Sequence, residues 1–198
     1  MKEVPMLYDK QQIAASIMRW KGFLSSFSLP AWDELPEFDL YMDQVIVMLN
    51  RYLSYFIYEG NDEKLITASM VNNYVKMKLI PPPVKKKYGR PHLACLMMVC
   101  TLKQTLSMAV VKKLLPRGDD EAIRRGYEQF VAAHRELSAF FVEQVRENAT
   151  ALYDPKLTTD KDIHEMIMRA AVTSCFAKLL AGKTLALQIP DTPQKGTK

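Results

Sequence analysis

The apolar positions of this chain recur at three- and four-residue spacing almost from end to end, the period of an amphipathic helix rather than of a strand. Ile13, Ile17, Trp20, Phe23, Leu24 and Phe27 share one side of a first helix predicted over 10–27, and Leu29, Trp32 and Leu35 hold the loop after it. Val45, Met48, Leu49, Tyr52, Leu53 and Phe56 form the stripe of a second helix, with Asp39 or Asp43 as its N-cap and Gly60 as its stop, the turn being completed by Asn61 and Asp62. Thr67 supplies the N-cap of a short third helix over 68–77, after which Leu79, Ile80 and the run Pro81 to Pro83 force an extended exit. Residues 91–106 are apolar nearly all round, so a fourth helix there must be central, and Pro91 suits its first turn. Ser107 caps a fifth helix over 108–115, ended by Pro116 and Gly118.

Two long helices follow. The first starts at Asp119 or Asp120 and carries the stripe Ile123, Tyr127, Phe130, His134, Leu137 and Phe141, in which His134 is the only polar member. The second, over 160–187, presents Ile163, Met166, Ile167, Ala170, Ala171, Ser174, Ala177 and Ala181, small side chains that let another helix approach closely. The end, 190–198, is polar and is expected to fray. No Asn-Gly or Asp-Gly pair separates two alternating runs, so the pattern predicts an all-α protein with at most one short β-ribbon.

Composition excludes several classes. With 48% apolar residues in 198, the chain can build a core and is not a disordered tract. The apolar run Leu93 to Cys100 is eight residues, against roughly 18 for a membrane-spanning helix. The first residues hold no secretory apolar region, so a cytoplasmic protein with no membrane association is expected. Cys95, Cys100 and Cys175 contain no Cys-x-x-Cys pair, which argues against a disulfide framework or a zinc site. His92, His134 and His164 are dispersed, with no nucleophile motif and no Gly-rich phosphate loop, so no catalytic residue, metal or cofactor is expected and the chain does not read as an enzyme.

Charge adds what hydrophobicity does not. Between Lys64 and Arg117 there is no acidic residue, while eleven of the 27 Lys and Arg lie there. The remainder carries 16 basic and 22 acidic residues. Such asymmetry points to a polyanion-facing module joined to an acidic remainder, because phosphate contacts need clustered cations and suffer from nearby carboxylates. The ordinary alternative is a solvated lysine-rich face. On the helix capped by Thr67, the residues Ser69, Asn72, Asn73 and Lys76 fall on one polar side, while Met70, Val71, Tyr74 and Met77 turn inward. Asn pairs with adenine in the major groove, and Lys76 and Lys78 would neutralise phosphates; the alternative is a solvent-exposed helix that merely tolerates its Asn residues. Lys85, Lys86, Lys87 and Arg90 form a candidate phosphate clamp, with Tyr88 either touching the backbone or, the preferred role, packing the segment on the domain.

The order of these features from Thr67 to Leu115 resembles the DNA-binding domain of the MerR family of winged-helix regulators. Lys78-Leu79-Ile80-Pro81-Pro82 is similar to the family's exit from the recognition helix. Tyr88 stands before Leu93, Leu96 and Val99 as its wing Tyr does, and Leu106-Ser107-Met108 with Val111 is similar to its closing helix. Three departures stand out. Asn72 and Asn73 replace the usual Arg and aromatic residue. The wing, Pro83 to Tyr88, is short and lacks the Gly-Tyr-Arg turn, so a full hairpin need not form. The connection before the third helix, Glu59 to Leu65, exceeds an ordinary helix-turn-helix turn. Over a longer span, Trp32-Asp33-Glu34-Leu35-Pro36, Tyr41-Met42-Asp43-Gln44-Val45, Met70 to Lys76 and Val84 to Tyr88 look like the YkrK-like bacterial proteins, a domain of unknown function (DUF1836), which supplies no activity.

The resulting expectation is an all-α chain. Residues 1–38 are an N-terminal helix and packing loop, and 39–116 a MerR-like helix-turn-helix core with a short wing. Residues 117–189 are a C-terminal helical hairpin for dimerisation or sensing, and 190–198 a flexible tail. The resemblance implies a sequence-specific DNA-binding transcriptional regulator with double-stranded DNA, and a second copy in a homodimer, as partners; the effector is left open. The rival reading is a protein-interaction module docking an acidic partner through the Lys-rich face.

Overall fold

The computed structural model describes residues 8–57, 64–148, 150–154 and 156–187. The Gly60 stop with Asn61 and Asp62, and the tail 190–198, lie outside the described residues. The helices are α1 (Lys10–Ser26), α2 (Met42–Tyr52), α3 (Ala68–Lys76), α4 (Arg90–Leu102), α5 (Met108–Leu114), α6 (Asp120–Asn148) and α7 (Asp160–Ala186). Single 3-10 turns lie at Trp32–Glu34, Ser54–Phe56 and Thr150–Tyr153. Among the described residues there is no strand, only two isolated antiparallel bridges. The chain is all-α.

The fourth helix is central, as its all-round apolarity requires: every residue from His92 to Cys100 is buried. Around it pack Leu29, Trp32 and Leu35 of the first loop, Val45, Leu49 and Leu53 of α2, and Val71 and Tyr74 of α3. Val111 of α5 and Ile123, Tyr127 and Val131 of α6 close the same core. The Tyr127 hydroxyl donates to the Pro30 carbonyl at 2.8 Å, joining α6 to the first loop across 97 positions. One continuous core thus runs from Leu29 to Val131, crossing positions 38 and 116 without a break. A smaller cluster, Leu152 and Ile163 with Ile13, Ile17, Val145 and Met166, ties α1 to the far end of α6 and the start of α7.

Side-chain caps form at α1, α3, α6 and α7, the first through Asp9; Ser107 holds the N-cap position of α5 without a side-chain hydrogen bond, and α2 departs from expectation as well. Thr67 Oγ1 accepts from the Met70 N–H at 3.3 Å, Asp119 Oδ1 accepts from the Ala122 N–H at 2.9 Å, and Thr159 Oγ1 accepts from the Asp162 N–H at 3.2 Å. For α2, neither Asp39 nor Asp43 caps. Tyr41 holds the N-cap position and the Gln44 side chain reaches back to accept its N–H at 2.9 Å. The helix also ends early, at Tyr52, where a 3-10 turn takes over. Helix α4 stops at Leu102 rather than 106, as the Gln104 amide turns back to the Cys100 carbonyl at 3.0 Å and Lys103 Nζ donates to the Leu65 carbonyl at 3.0 Å.

His134 of α6 sits among Phe27, Tyr55 and Phe130, its Nε2 at 3.0 Å from the Tyr55 hydroxyl. Burial disfavours the imidazolium and lowers its pKa below the ordinary value. The unfolded chain therefore binds this proton more readily than the folded one, and stability is lost as pH falls from about 6.5 through the lower folded value. Thermal melts at pH 7.5 and pH 5 are expected to show that loss in the parent chain and a smaller one in His134→Gln, which keeps polar atoms at the site without titrating.

Beyond His134 the stripe of α6 leaves the main core: Leu137 is 62% exposed, and Phe141, 39% exposed, meets the Trp20 ring of α1 edge-to-face at 5.5 Å. Most of α7 is exposed as well, with Ile163 and Leu185 buried near its two ends. The predicted hairpin of long helices is therefore open, α6 and α7 scarcely touching.

Candidate nucleic-acid interface

The third helix is short and sharply bounded. Val71 and Tyr74 anchor it on the core, while Ser69, Asn72, Asn73 and Lys76 are exposed together on the opposite side. Met77, expected to turn inward, is 38% exposed because the helix has already ended at Lys76. The end is a Schellman cap: the Leu79 N–H donates to the Tyr74 carbonyl at 2.9 Å and the Lys78 N–H to Val75 at 3.0 Å. That cap requires a left-handed residue, and the chain places Lys78 there, at φ 56°.

Ile80 and Leu79 then bury, and the backbone makes a tight turn. Val84 and Lys87 exchange both backbone hydrogen bonds, at 3.1 and 2.9 Å, around Lys85 at φ 50° and Lys86 at φ 65°. Two positive φ values between bonded ends make a two-residue type I′ turn, usually built from Asn-Gly. Tyr88 continues the ribbon by exchanging bonds with Leu40 at 2.9 Å each way, which fastens the wing to the segment before α2. The shortened wing is thus a single tight turn closed by one bridge, and a full hairpin does not form.

Its base is fixed by side chains. Tyr88 is buried and meets the His92 ring edge-on at 5.4 Å. His92 Nδ1 accepts the Gly89 N–H at 3.0 Å, so its Nε2 carries the proton and donates to the Pro82 carbonyl at 3.1 Å. One imidazole thus holds both ends of the wing. Lys87 lies half-buried with its ammonium 5.3 Å from the centre of the Tyr41 ring. Arg90 is engaged inward: its Nε donates to the Leu35 carbonyl at 3.0 Å and its guanidinium meets Glu37 at 3.4 Å and Asp33 at 4.0 Å. Lys85 and Lys86, by contrast, are exposed at the tip.

Sequence reasoning found the lysines and the Asn pair but missed Leu40, Tyr41 and His92. Nothing in a lone Leu or Tyr signals a long-range bridge, and His92 only reads as structural until its two backbone partners are known. Cys95 and Cys100 are buried beside α3, and burial pushes their thiols up to about 12 and about 11, so they are inert at neutral pH. Among the described residues, no group of three His, Cys, Asp or Glu side chains could hold a metal ion, and no helix is long and apolar enough to cross a membrane.

These features define a helical protein built round one buried helix, with a short basic wing beside a capped, polar-faced helix. Residues 30–130 match the family described as a domain of unknown function (DUF1836), and the chain belongs to that family. The matched span falls within one residue of the continuous core, Leu29 to Val131, at each end. Comparison with curated proteins and with solved structures found no match.

Proposed function

We propose that this protein is a sequence-specific DNA-binding regulator of MerR-like type, reading duplex DNA with α3 and the wing. One observation carries the reading. Among the described residues, the non-glycine residues at positive φ are Lys78, Lys85 and Lys86, all three in this one region. A left-handed conformation costs a residue with a Cβ roughly 1–2 kcal/mol, and glycine or asparagine would relieve it at each turn. Strain of this kind persists where it serves a site. Here the residue retained at each strained position is a long cation, in a segment free of carboxylates from Lys64 to Arg117.

In this reading Ser69, Asn72 and Asn73 meet base edges, while Lys76, Lys78, Lys85 and Lys86 neutralise phosphates on either side. Lys87, Tyr88, His92 and Arg90 act at one remove, holding the wing in place. The test is selection of fragments of the source genome on the purified chain at near-physiological salt, with sequencing of what is retained. A shared motif, with affinity that falls steeply as salt rises, supports the reading; retention of nothing above background overturns it and favours an acidic protein partner for the same lysines. Asn72→Ala and Asn73→Ala are each expected to relax the preference for adenine at one position by about 1–3 kcal/mol. Their binding to unrelated sequences and its salt dependence should stay as in the parent, which parallel titrations on the selected and on scrambled duplexes would check.

A further inference from the structure

Two turns of the chain face each other across a cleft of about 560 Å³. One is the exit from α3, fixed by its C-terminal cap and carried on through Pro81 and Pro82. The other joins α5 to α6 through Pro116, Arg117 and Gly118, the last at φ 120°. Both are stiff. Proline fixes its own φ, and Pro116 is pressed so closely on α6 that a Cβ at Gly126 would come within 2.7 Å of it. The surface between the turns is apolar: Val75, Leu79, Ile80 and Ile123 line it, the last three each only 4% exposed. A preformed apolar cleft of this size suits a small molecule, because little ordering is left to do on binding.

The charge of the cleft is one-sided. Lys78 stands on the first wall and Arg117 on the second, and among the described residues no carboxylate lines it. Neither cation has an ion-pair partner among the described residues; the Arg117 guanidinium reaches the Lys112 carbonyl at 3.4 Å. The acidic residues next in sequence are placed otherwise. Asp119 Oδ1 is taken up by the cap of α6, and Asp120, which adds to burial in raising the Cys95 pKa, is outside the lining.

We propose that this cleft binds a small organic anion, a carboxylate on an apolar body, with the charged end at Lys78 and Arg117 and the body on the apolar surface between the turns. Charge and surface together select the class. A neutral apolar molecule would leave both cations without a counter-charge, an inorganic anion would leave the apolar surface wet, and a cation would be repelled at the walls. The site also bears on α3. In the DNA reading, on which this step rests, Lys78 neutralises a phosphate, and one ammonium cannot serve phosphate and ligand at once. The bound anion therefore lowers affinity for DNA by withdrawing a single contact.

The test is a titration of the full chain with sodium octanoate, without DNA, followed by methyl NMR, with 1-octanol as the neutral control. The expected result is saturable shifts at Val75, Leu79, Ile80 and Ile123, with octanoate bound at least about tenfold more tightly than octanol. Lys78→Asn, which the left-handed backbone tolerates, and Arg117→Gln should each weaken octanoate by about fivefold and leave octanol unchanged. The absence of shifts, shifts confined to the exposed methyl groups of α7, equal affinity for the two probes, or variants that bind octanoate as the parent does overturn the proposal. With a selected duplex present, saturating octanoate should make the slope of log affinity against log salt shallower by about 0.9, one phosphate contact. The duplex should weaken octanoate by the same factor as octanoate weakens the duplex. Unchanged affinity for DNA overturns the sharing of Lys78. Because the first titration holds no DNA, its failure removes this proposal alone, and a chain that binds octanoate but selects no duplex removes only the DNA reading.

Discussion

Replacing Lys85 by Asn and Lys86 by Gly is expected to make the chain more stable and a poorer DNA binder at once. Both residues hold φ values, 50° and 65°, that Asn and Gly adopt with little or no steric penalty. Relief at the two positions, less the extra chain entropy glycine loses on folding, gives about 1–2 kcal/mol, or roughly 2–8 °C in Tm for a chain of this length. The bonds between Val84 and Lys87 that close the turn favour Asn-Gly, so the wing keeps its shape. Two phosphate contacts disappear, and the slope of log affinity against log salt should become shallower by about 1.8. A thermal melt and a salt series on the same sample measure both. Higher Tm with unchanged DNA affinity would remove the wing from the interface, whereas weaker binding without a gain in Tm would show that the lysines are unstrained.

Why the wing was hard to see follows from the same two residues. A type I′ turn is announced in a sequence by Asn-Gly or Asp-Gly, and this chain builds it from Lys-Lys, which reads as a solvated charge run. Helices α3 and α4 were legible because their information is local: Thr67 three residues before the N–H it accepts, and an apolar run with Pro91 in its first turn. Arg90 misleads for the opposite reason. Its neighbours in sequence suggest a phosphate clamp, but its partners, Leu35, Asp33 and Glu37, lie more than 50 positions away. The cap of α2 is a third kind of case. Asp39 has the right side chain, but it stands so close to Gly89 that a Cβ there would come within 2.8 Å of its carboxylate, and the cap falls to the backbone of Tyr41 with Gln44. In α6 and α7 the period gives the helices, but not that Leu137, Phe140 and Phe176 would be left more than 60% exposed.

A fragment of residues 39–116, which carries α3 and the whole wing, is expected not to fold, whereas 27–138 should unfold as one cooperative unit. The reason lies in the side chains that close the core from outside the shorter fragment: Leu29, Trp32 and Leu35 before it, Ile123, Tyr127 and Val131 after it, all buried. Burial of each is worth about 1.5–3 kcal/mol, or roughly 9–18 kcal/mol for the six. The whole stability of an ordinary domain is about 5–15 kcal/mol, so the loss leaves nothing to hold α4 in water. The shorter fragment would also expose that helix, whose residues from His92 to Cys100 are all buried in the intact chain, and aggregation is the expected outcome. Circular dichroism across a urea series distinguishes the two: a sigmoidal transition for 27–138 and a featureless slope for 39–116. A cooperative transition in 39–116 would show that α2 to α5 enclose α4 by themselves. The longer fragment also tests the proposed reading by itself. It keeps Asn72, Asn73 and the strained lysines, so if α3 and the wing read DNA it should retain the base preference of the intact chain.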